Sequence, residues 1–341
     1  MLKADFIPHT LKFKIPGGTS RGVLTEKPSW FISVWDDSNP KIKGTGEISL
    51  LPKLSPDARP DIEEKIKEVC TQINNYNDNF HEKLIEWPAI RFGLETALLD
   101  LQNNGNQTLF NSDFGHGLVG IPINGLIWMD TKESMEQQIQ EKLNAGFKCL
   151  KMKIGALDFE EEYSLLKNLR KKFPADKLEL RVDANGAFSL QQAPKIMDRL
   201  ARLGIHSIEQ PIQAGQWQEM ARLCETTPLP IALDEELIGI NTPSDKRKLL
   251  STIKPAYIIL KPSLVGGMKA SEEWIKMAEE LNSGWWITSA LESNIGLNAI
   301  AQWTSTLNNP MPQGLGTGLV FTNNIENGLF INNGMLWHLG H

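Results

Sequence analysis

Five charged residues sit at near-even steps in the middle of this chain: Lys153, Asp183, Glu209, Asp234 and Lys261, separated by 30, 26, 25 and 27 residues. Each step matches one strand–helix unit of a parallel barrel, since a crossover needs at least about 10–12 residues. Each charge also closes a short, largely apolar run: Cys149-Leu150-Lys151-Met152, Leu180-Arg181-Val182, Ile205-His206-Ser207-Ile208, Ile231-Ala232-Leu233 and Tyr257-Ile258-Ile259-Leu260. A charge at the carboxyl end of a barrel strand faces the mouth, where such barrels carry out chemistry. The spacing therefore predicts three carboxylates flanked by two lysines around one cavity, a divalent-metal site with an amine on either side.

From Ile121 the pattern alternates strand and helix, which implies a parallel sheet with right-handed crossovers. Strands are predicted at 121–127, 148–154, 178–183, 205–209, 230–234, 256–261, 285–289 and, more weakly, 313–317. The expected fold class is α/β: a (β/α) TIM-type barrel of seven to eight strands over residues 119–318. Residues 1–118 read as an α+β capping domain. There Phe6, Leu11, Phe13 and Ile15 precede Pro16-Gly17-Gly18, a turn signal, and the β pattern resumes at Trp30–Trp35. Asp61 is the expected cap of a helix running to about Asn74. A second helix follows Pro88 and ends near Asn103-Asn104-Gly105. The tail, 319–341, is expected to return to the capping domain. A length of 341 residues accommodates both domains.

Composition narrows the partners. The net charge is −6 and no basic stripe is present, which argues against nucleic acid. No apolar run approaches the ~18 residues of a membrane span. The cysteines, Cys70, Cys149 and Cys224, are odd in number and widely spaced, which fits a reducing compartment rather than a disulfide framework. The opening residues lack the apolar core of a signal peptide. The expectation is a cytoplasmic protein acting on a small-molecule carboxylate, as a monomer or homo-oligomer.

The candidate metal ligands are Asp183, Glu209 and Asp234, on consecutive strands. They are all oxygen donors, which favours Mg²⁺, with Mn²⁺ as the alternative, over zinc. For any one of them a salt bridge at the barrel mouth is the plainer reading; three at successive strand ends favour the metal. Asn185, two residues after Asp183, faces the same cavity or simply serves the turn Asp-Ala-Asn-Gly. Lys151 and Lys153 are two apart on one strand and so share its inner face. Like charges lower each other's pKa, and a lysine tuned toward neutrality can act as a base. Lys153, nearer the strand end, is assigned proton abstraction. Lys151, one layer deeper, holds a substrate oxygen, tunes Lys153 or pairs with Asp183. Arg181 shares this inner face and is expected to orient the lysines or balance the acids. Lys261 lies half a turn round the barrel from Lys153 and acts as acid, base or cation. In the cap, Gly17 to Gly22 reads as a mobile lid, with Arg21 either meeting a substrate carboxylate or simply exposed. Ser289 either bonds the substrate carboxylate or caps the helix after its strand.

Taken together, Lys-Met-Lys (151–153), Val-Asp-Ala-Asn (182–185), Ile-Glu-Gln-Pro (208–211), Leu-Asp-Glu (233–235) and Leu-Lys-Pro-Ser-Leu-Val-Gly-Gly (260–267) resemble the muconate-lactonizing branch of the enolase superfamily. The likeness covers nearly the whole chain and is specific in combination rather than motif by motif. Ser-Arg-Gly-Val-Leu-Thr (20–25) and Ser-Ala-Leu-Glu-Ser-Asn-Ile-Gly (289–296) support it. Gly-Leu-Gly-Thr-Gly (314–318) looks like the glycine-rich strand end that approaches substrate in this branch, placing Gly316 there. The resemblance implies a lyase of menaquinone biosynthesis. Its reaction is metal-dependent syn elimination of water from 2-succinyl-6-hydroxy-2,4-cyclohexadiene-1-carboxylate, through an enediolate. Lys153 would be base and then acid, and Lys261 a cation against the planar intermediate. An N-acylamino-acid racemase would use the same site. Dipeptide epimerases of the branch carry Asp-x-Asp where this chain has Gly-Leu-Gly-Thr-Gly. A muconate cycloisomerase fits the 260–267 run less well, and a catalytically silent barrel would have no need of the intact lysines and acids.

Overall fold

The computed structural model describes residues 1–19, 22–76 and 78–340. Three antiparallel strands, β1 (Leu2–Thr19), β2 (Gly22–Asp36) and β3 (Lys43–Ser49), form the cap sheet in the order β1-β2-β3. One face packs on helices Ile62–Thr71 and Pro88–Gln102, through a core including Trp30, Ile32, Val34, Ile48, Ile66 and Leu94. The expected turn at Pro16-Gly17-Gly18 is instead strand. Pairing shifts register after Lys12↔Glu26, resumes at Gly17↔Leu24 and continues to Thr19↔Gly22. Pro16 falls in the unpaired stretch between those two pairings, so the N–H it lacks costs no bond to β2. Asp61 precedes its helix but does not cap it; its carboxylate accepts from Arg59 Nε at 3.2 Å. That helix stops at Thr71, and a short second one spans Ile73–Tyr76.

The predicted first barrel strand divides. β4 (Ile121–Pro122) pairs outside the barrel, and only β5 (Gly125–Ile127) enters it. β5 is followed round the sheet by β6 (Cys149–Lys153), β7 (Glu179–Asp183), β8 (Ser207–Glu209), β9 (Ile231–Leu233), β10 (Tyr257–Leu260) and β11 (Gly284–Ile287), all parallel. The eighth position is a bridge rather than a strand. Gln313 pairs with Ile123 and Gly314 with Thr288, joining the two sheet edges. Room for that segment depends on glycine: a Cβ on Gly314 would lie 2.4 Å from Thr288 Oγ1. The tail also divides. Val320 O and Thr322 N bond β1, while β12 (Leu329–Asn332) and β13 (Met335–His338) form a hairpin on β4.

Period-two alternation sorts the barrel side chains. Leu150, Met152, Leu180, Val182, Ile208, Ile231, Leu233, Ile258 and Leu260 join the main core beneath the surrounding helices. Their alternates, Lys151, Lys153, Arg181, Asp183, Glu209, Asp234 and Lys261, point inward, each no more than 8% exposed. No helix among the described residues is long and apolar enough to cross a membrane.

Candidate active site

The inward charges form one chain of contacts. Asn185 Oδ1 accepts from Lys153 Nζ at 2.8 Å, and Lys153 Nζ also donates to Asp183 Oδ2 at 2.7 Å. The same oxygen takes Lys151 Nζ at 3.1 Å, and Lys151 reaches Glu209 Oε2 at 2.5 Å. Lys261 Nζ bonds Asp234 Oδ2 and stands 3.9 Å from Glu209 Oε1. Strand pairing sets this up, because Lys153, Asp183 and Glu209 are lateral neighbours across β6, β7 and β8. Lys153 and Lys261 belong to β6 and the end of β10, four positions apart in the sheet. Both line the same cavity.

Burial pushes Lys151 down, but the Asp183 and Glu209 charges outweigh it and hold the ammonium above its usual value. Expecting Lys151 and Lys153 mainly to depress each other overlooked those two acids, so Lys151 is poorly suited to give up a proton. Lys153 bonds one carboxylate and one amide instead of two carboxylates. Lys261 is likewise raised, burial being outweighed by Asp234 and Glu209. Asp183 is held low, Lys151 and Lys153 overcoming its burial. Glu209 is the acid hardest to ionise: burial and then Asp183 push it up to about 8.

Among the described residues no three His, Cys, Asp or Glu side chains are gathered as a metal-binding group, and each predicted ligand holds a lysine instead. The donor chemistry nevertheless fits a hard divalent cation. Asp183, Glu209 and Asp234 are buried oxygen donors at the ends of adjacent strands, and Glu209 Oε1 is buried without a hydrogen-bond partner.

Asn185 serves the turn and is not among the residues lining the cavity. Its backbone is left-handed (φ 44°), as the turn needs, and its amide joins Lys153 to Glu235. Arg181 does not reach the cavity. It lies a layer deeper, bonding Glu179 at 2.6 Å and Pro312 O at 2.9 Å and stacking over Trp286. Two residues along a strand is a whole layer of a barrel interior. Ser289 lines the cavity, but its hydroxyl donates to Glu292 at 2.6 Å and accepts from Thr317 and the Leu291 N–H. Its proton is thus already committed within the protein. Gly316 lines the cavity, as does Gly22 of the expected lid; Ser20 and Arg21 lie outside the described residues.

Sequence reasoning missed three residues. Gln210, wholly buried, accepts from the Asp234 and Glu236 N–H groups and so shapes the turn carrying Asp234. Leu291 and Lys53 line the cavity with left-handed backbones (φ 65° and 67°). Bulky or long side chains seldom adopt that conformation, and composition carries no signal of it. The cavity holds about 310 Å³.

A family model described as enolase C-terminal domain-like matches residues 134–337. An o-succinylbenzoate synthase of Desulfotalea psychrophila is 47% identical, over 96% of this chain and 96% of that one. The crystal structure of MenC from that organism superposes with a TM-score of 0.86 at 42% identity, covering 98% of this chain and 99% of the other. The L-Ala-D/L-Glu epimerase of Bacillus subtilis shares the fold, with a TM-score of 0.83 at 20% identity over 99% of this chain and 96% of that one.

Proposed function

The chain belongs to the enolase C-terminal domain-like family, and from that premise we propose that it is an o-succinylbenzoate synthase, a lyase that dehydrates 2-succinyl-6-hydroxy-2,4-cyclohexadiene-1-carboxylate to 2-succinylbenzoate. The observation that carries the reading to these residues is the common cavity. Lys153 and Lys261 line it together, and with Lys151 they hold the three carboxylates Asp183, Glu209 and Asp234.

Lys153 takes the ring proton beside the carboxylate, leaving an enediolate. Protonated Lys153 then lies on the face from which hydroxide departs and returns the proton to it as water. One base on one face suffices for a syn elimination, and aromatisation drives it forward. Lys261, which faces Asp234 and Glu209, works as a cation against the planar intermediate. Lys151, clamped between two acids, orients Asp183 and Glu209 and meets a substrate carboxylate oxygen. Enzymes of the superfamily depend on a divalent cation. Here Asp183, Glu209 and Asp234 would hold Mg²⁺, or Mn²⁺, and the bound ion supplies Lewis-acid stabilisation for charge gathering on the substrate carboxylate. Residues 1–118 serve as the cap, 119–318 as the catalytic barrel and 319–341 as the closing tail. The enzyme works in the cytoplasm, apart from nucleic acid and membrane.

The test is turnover of the cyclohexadiene substrate with Mg²⁺ and with EDTA. Dehydration that EDTA abolishes and Mg²⁺ restores is the expected result. One-sided α-proton exchange on an acylated amino acid by the single variants Lys153→Ala and Lys261→Ala, with no dehydration by the wild type, would overturn the assignment in favour of a racemase.

A further inference from the structure

The charged residues lining the cavity are all lysines, and they come from two parts of the chain. The floor presents the Lys151, Lys153 and Lys261 amines, and the walls are apolar, with Leu51, Leu54, Trp128 and Leu291 prominent. Among the described residues no Asp or Glu lines the cavity. Among the described lining residues one further charge exists, Lys53, carried by the cap. A cavity that draws cations from both barrel and cap and is otherwise largely apolar suits a ligand with two anionic groups joined by an apolar body.

Lys53 is held there at a conformational cost. Its backbone is left-handed (φ 67°), a region that glycine or asparagine enters more easily. The surrounding loop is over-determined. The N–H groups of Leu54 and Ser55 both bond Leu51 O, at 3.0 and 2.9 Å, and Ser55 Oγ accepts from Leu51 N–H at 2.8 Å. Buried Asp57 then ties the loop to the first turn of helix Pro88–Gln102 through the Ala89 N–H at 2.8 Å. Local strain that the surroundings enforce is concentrated at ligand clamps. Lys53 lines the cavity while remaining exposed to solvent.

We propose that Lys53 binds the succinyl-chain carboxylate of the substrate, the anionic group remote from the reacting carbons. The proposal rests on the o-succinylbenzoate synthase assignment and adds the residue that reads the second carboxylate. Lys53 is a specificity residue that touches substrate but takes no part in proton transfer.

The experiment compares wild type, Lys53→Met, Lys53→Arg and Arg21→Met on two substrates: the dicarboxylate and its succinyl-chain methyl ester. With the dicarboxylate, Lys53→Met should raise KM roughly tenfold, the size of one charge-assisted hydrogen bond. Its kcat should change far less, and Lys53→Arg should recover most of the KM. With the ester, wild type and Lys53→Met should have the same KM. An unchanged KM, an equal rise on both substrates, or a charge-selective rise confined to Arg21→Met overturns the proposal. If wild type fails to dehydrate the dicarboxylate, the enzyme assignment itself falls. Calorimetric binding of 2-succinylbenzoate and its chain ester then judges Lys53 separately, by whether Lys53→Met weakens only the diacid.

Discussion

Two buried polar clusters of this protein handle charge in opposite ways. At the barrel mouth the lysines and acids neutralise one another directly, and Glu209 Oε1 is left without a hydrogen bond. Between cap and barrel, Lys27 is wholly buried near Glu47 and Glu292, yet neutral donors do most of the work. Glu47 accepts from Ser29, from the Ser293 hydroxyl and N–H, and from the Gly296 N–H. Glu292 accepts from Ser263, Ser289 and the Ala290 N–H. Lys27 donates to Ser29 and Ser49, and its burial holds its pKa down despite the two acids. One cluster is saturated and fixes the cap on the barrel. The other keeps charge in excess of its hydrogen bonds, as a site awaiting a cation and an anionic substrate requires.

The sharpest way to break this contrast is at the lysines. Lys153→Ala should lower kcat by at least the 10²–10⁴-fold that a general base contributes, roughly, and should stop solvent exchange of the abstracted proton. Lys261→Arg keeps a cation of different shape. It should retain measurable dehydration where Lys261→Ala loses far more; equal inactivity of both would make Lys261 a working acid or base instead.

Next are the acids. Glu209→Gln should lose at least ~10²-fold in activity while stability without metal stays within about 1 kcal/mol of wild type or rises, because a repelled carboxylate has been removed. Glu47→Gln should do the reverse in stability, losing about 2–4 kcal/mol, because an amide NH₂ then faces donors in a filled site. Urea unfolding of both variants decides it, and similar losses would erase the distinction between the clusters.

The smallest effect concerns a partly buried acid outside both clusters. Glu95, on helix Pro88–Gln102, accepts from the N–H groups of Met268 and Lys269 at the start of barrel helix Met268–Glu280. Burial pushes its carboxyl up to about 7. Between its unfolded pKa and that value the folded protein keeps a proton that the unfolded chain releases. Its contribution is therefore full at low pH and is lost as pH rises toward 7, at up to ~1.4 kcal/mol per pH unit. Asp57, pushed up to about 6 by burial, acts in the same direction. Glu95→Gln should flatten the fall in unfolding free energy between pH 5 and 7.5; parallel curves for variant and wild type would show that the backbone donors already ionise Glu95.

By itself the sequence determined the barrel, its strand order and the inward row of Lys151, Lys153, Asp183, Glu209, Asp234 and Lys261. Those follow from a period of two along each strand and about one β/α unit between strands, both local properties. The Gly266-Gly267 pair was legible as a motif, but its physical use was not. A Cβ on Gly267 would stand 2.1 Å from Glu95 Oε2, a contact with a helix more than 160 residues earlier in the chain. Only the tertiary structure decided which acids each lysine meets, and so that Lys151 is held charged. It also committed the Ser289 proton to Glu292, put Arg181 below the site instead of in it, replaced the eighth strand by a two-residue bridge, and brought Lys53 of the cap to the cavity wall. The reason is the same in each case: periodicity says which face a side chain takes, whereas depth, ionisation and hydrogen-bond partners depend on groups that the fold delivers from distant parts of the chain.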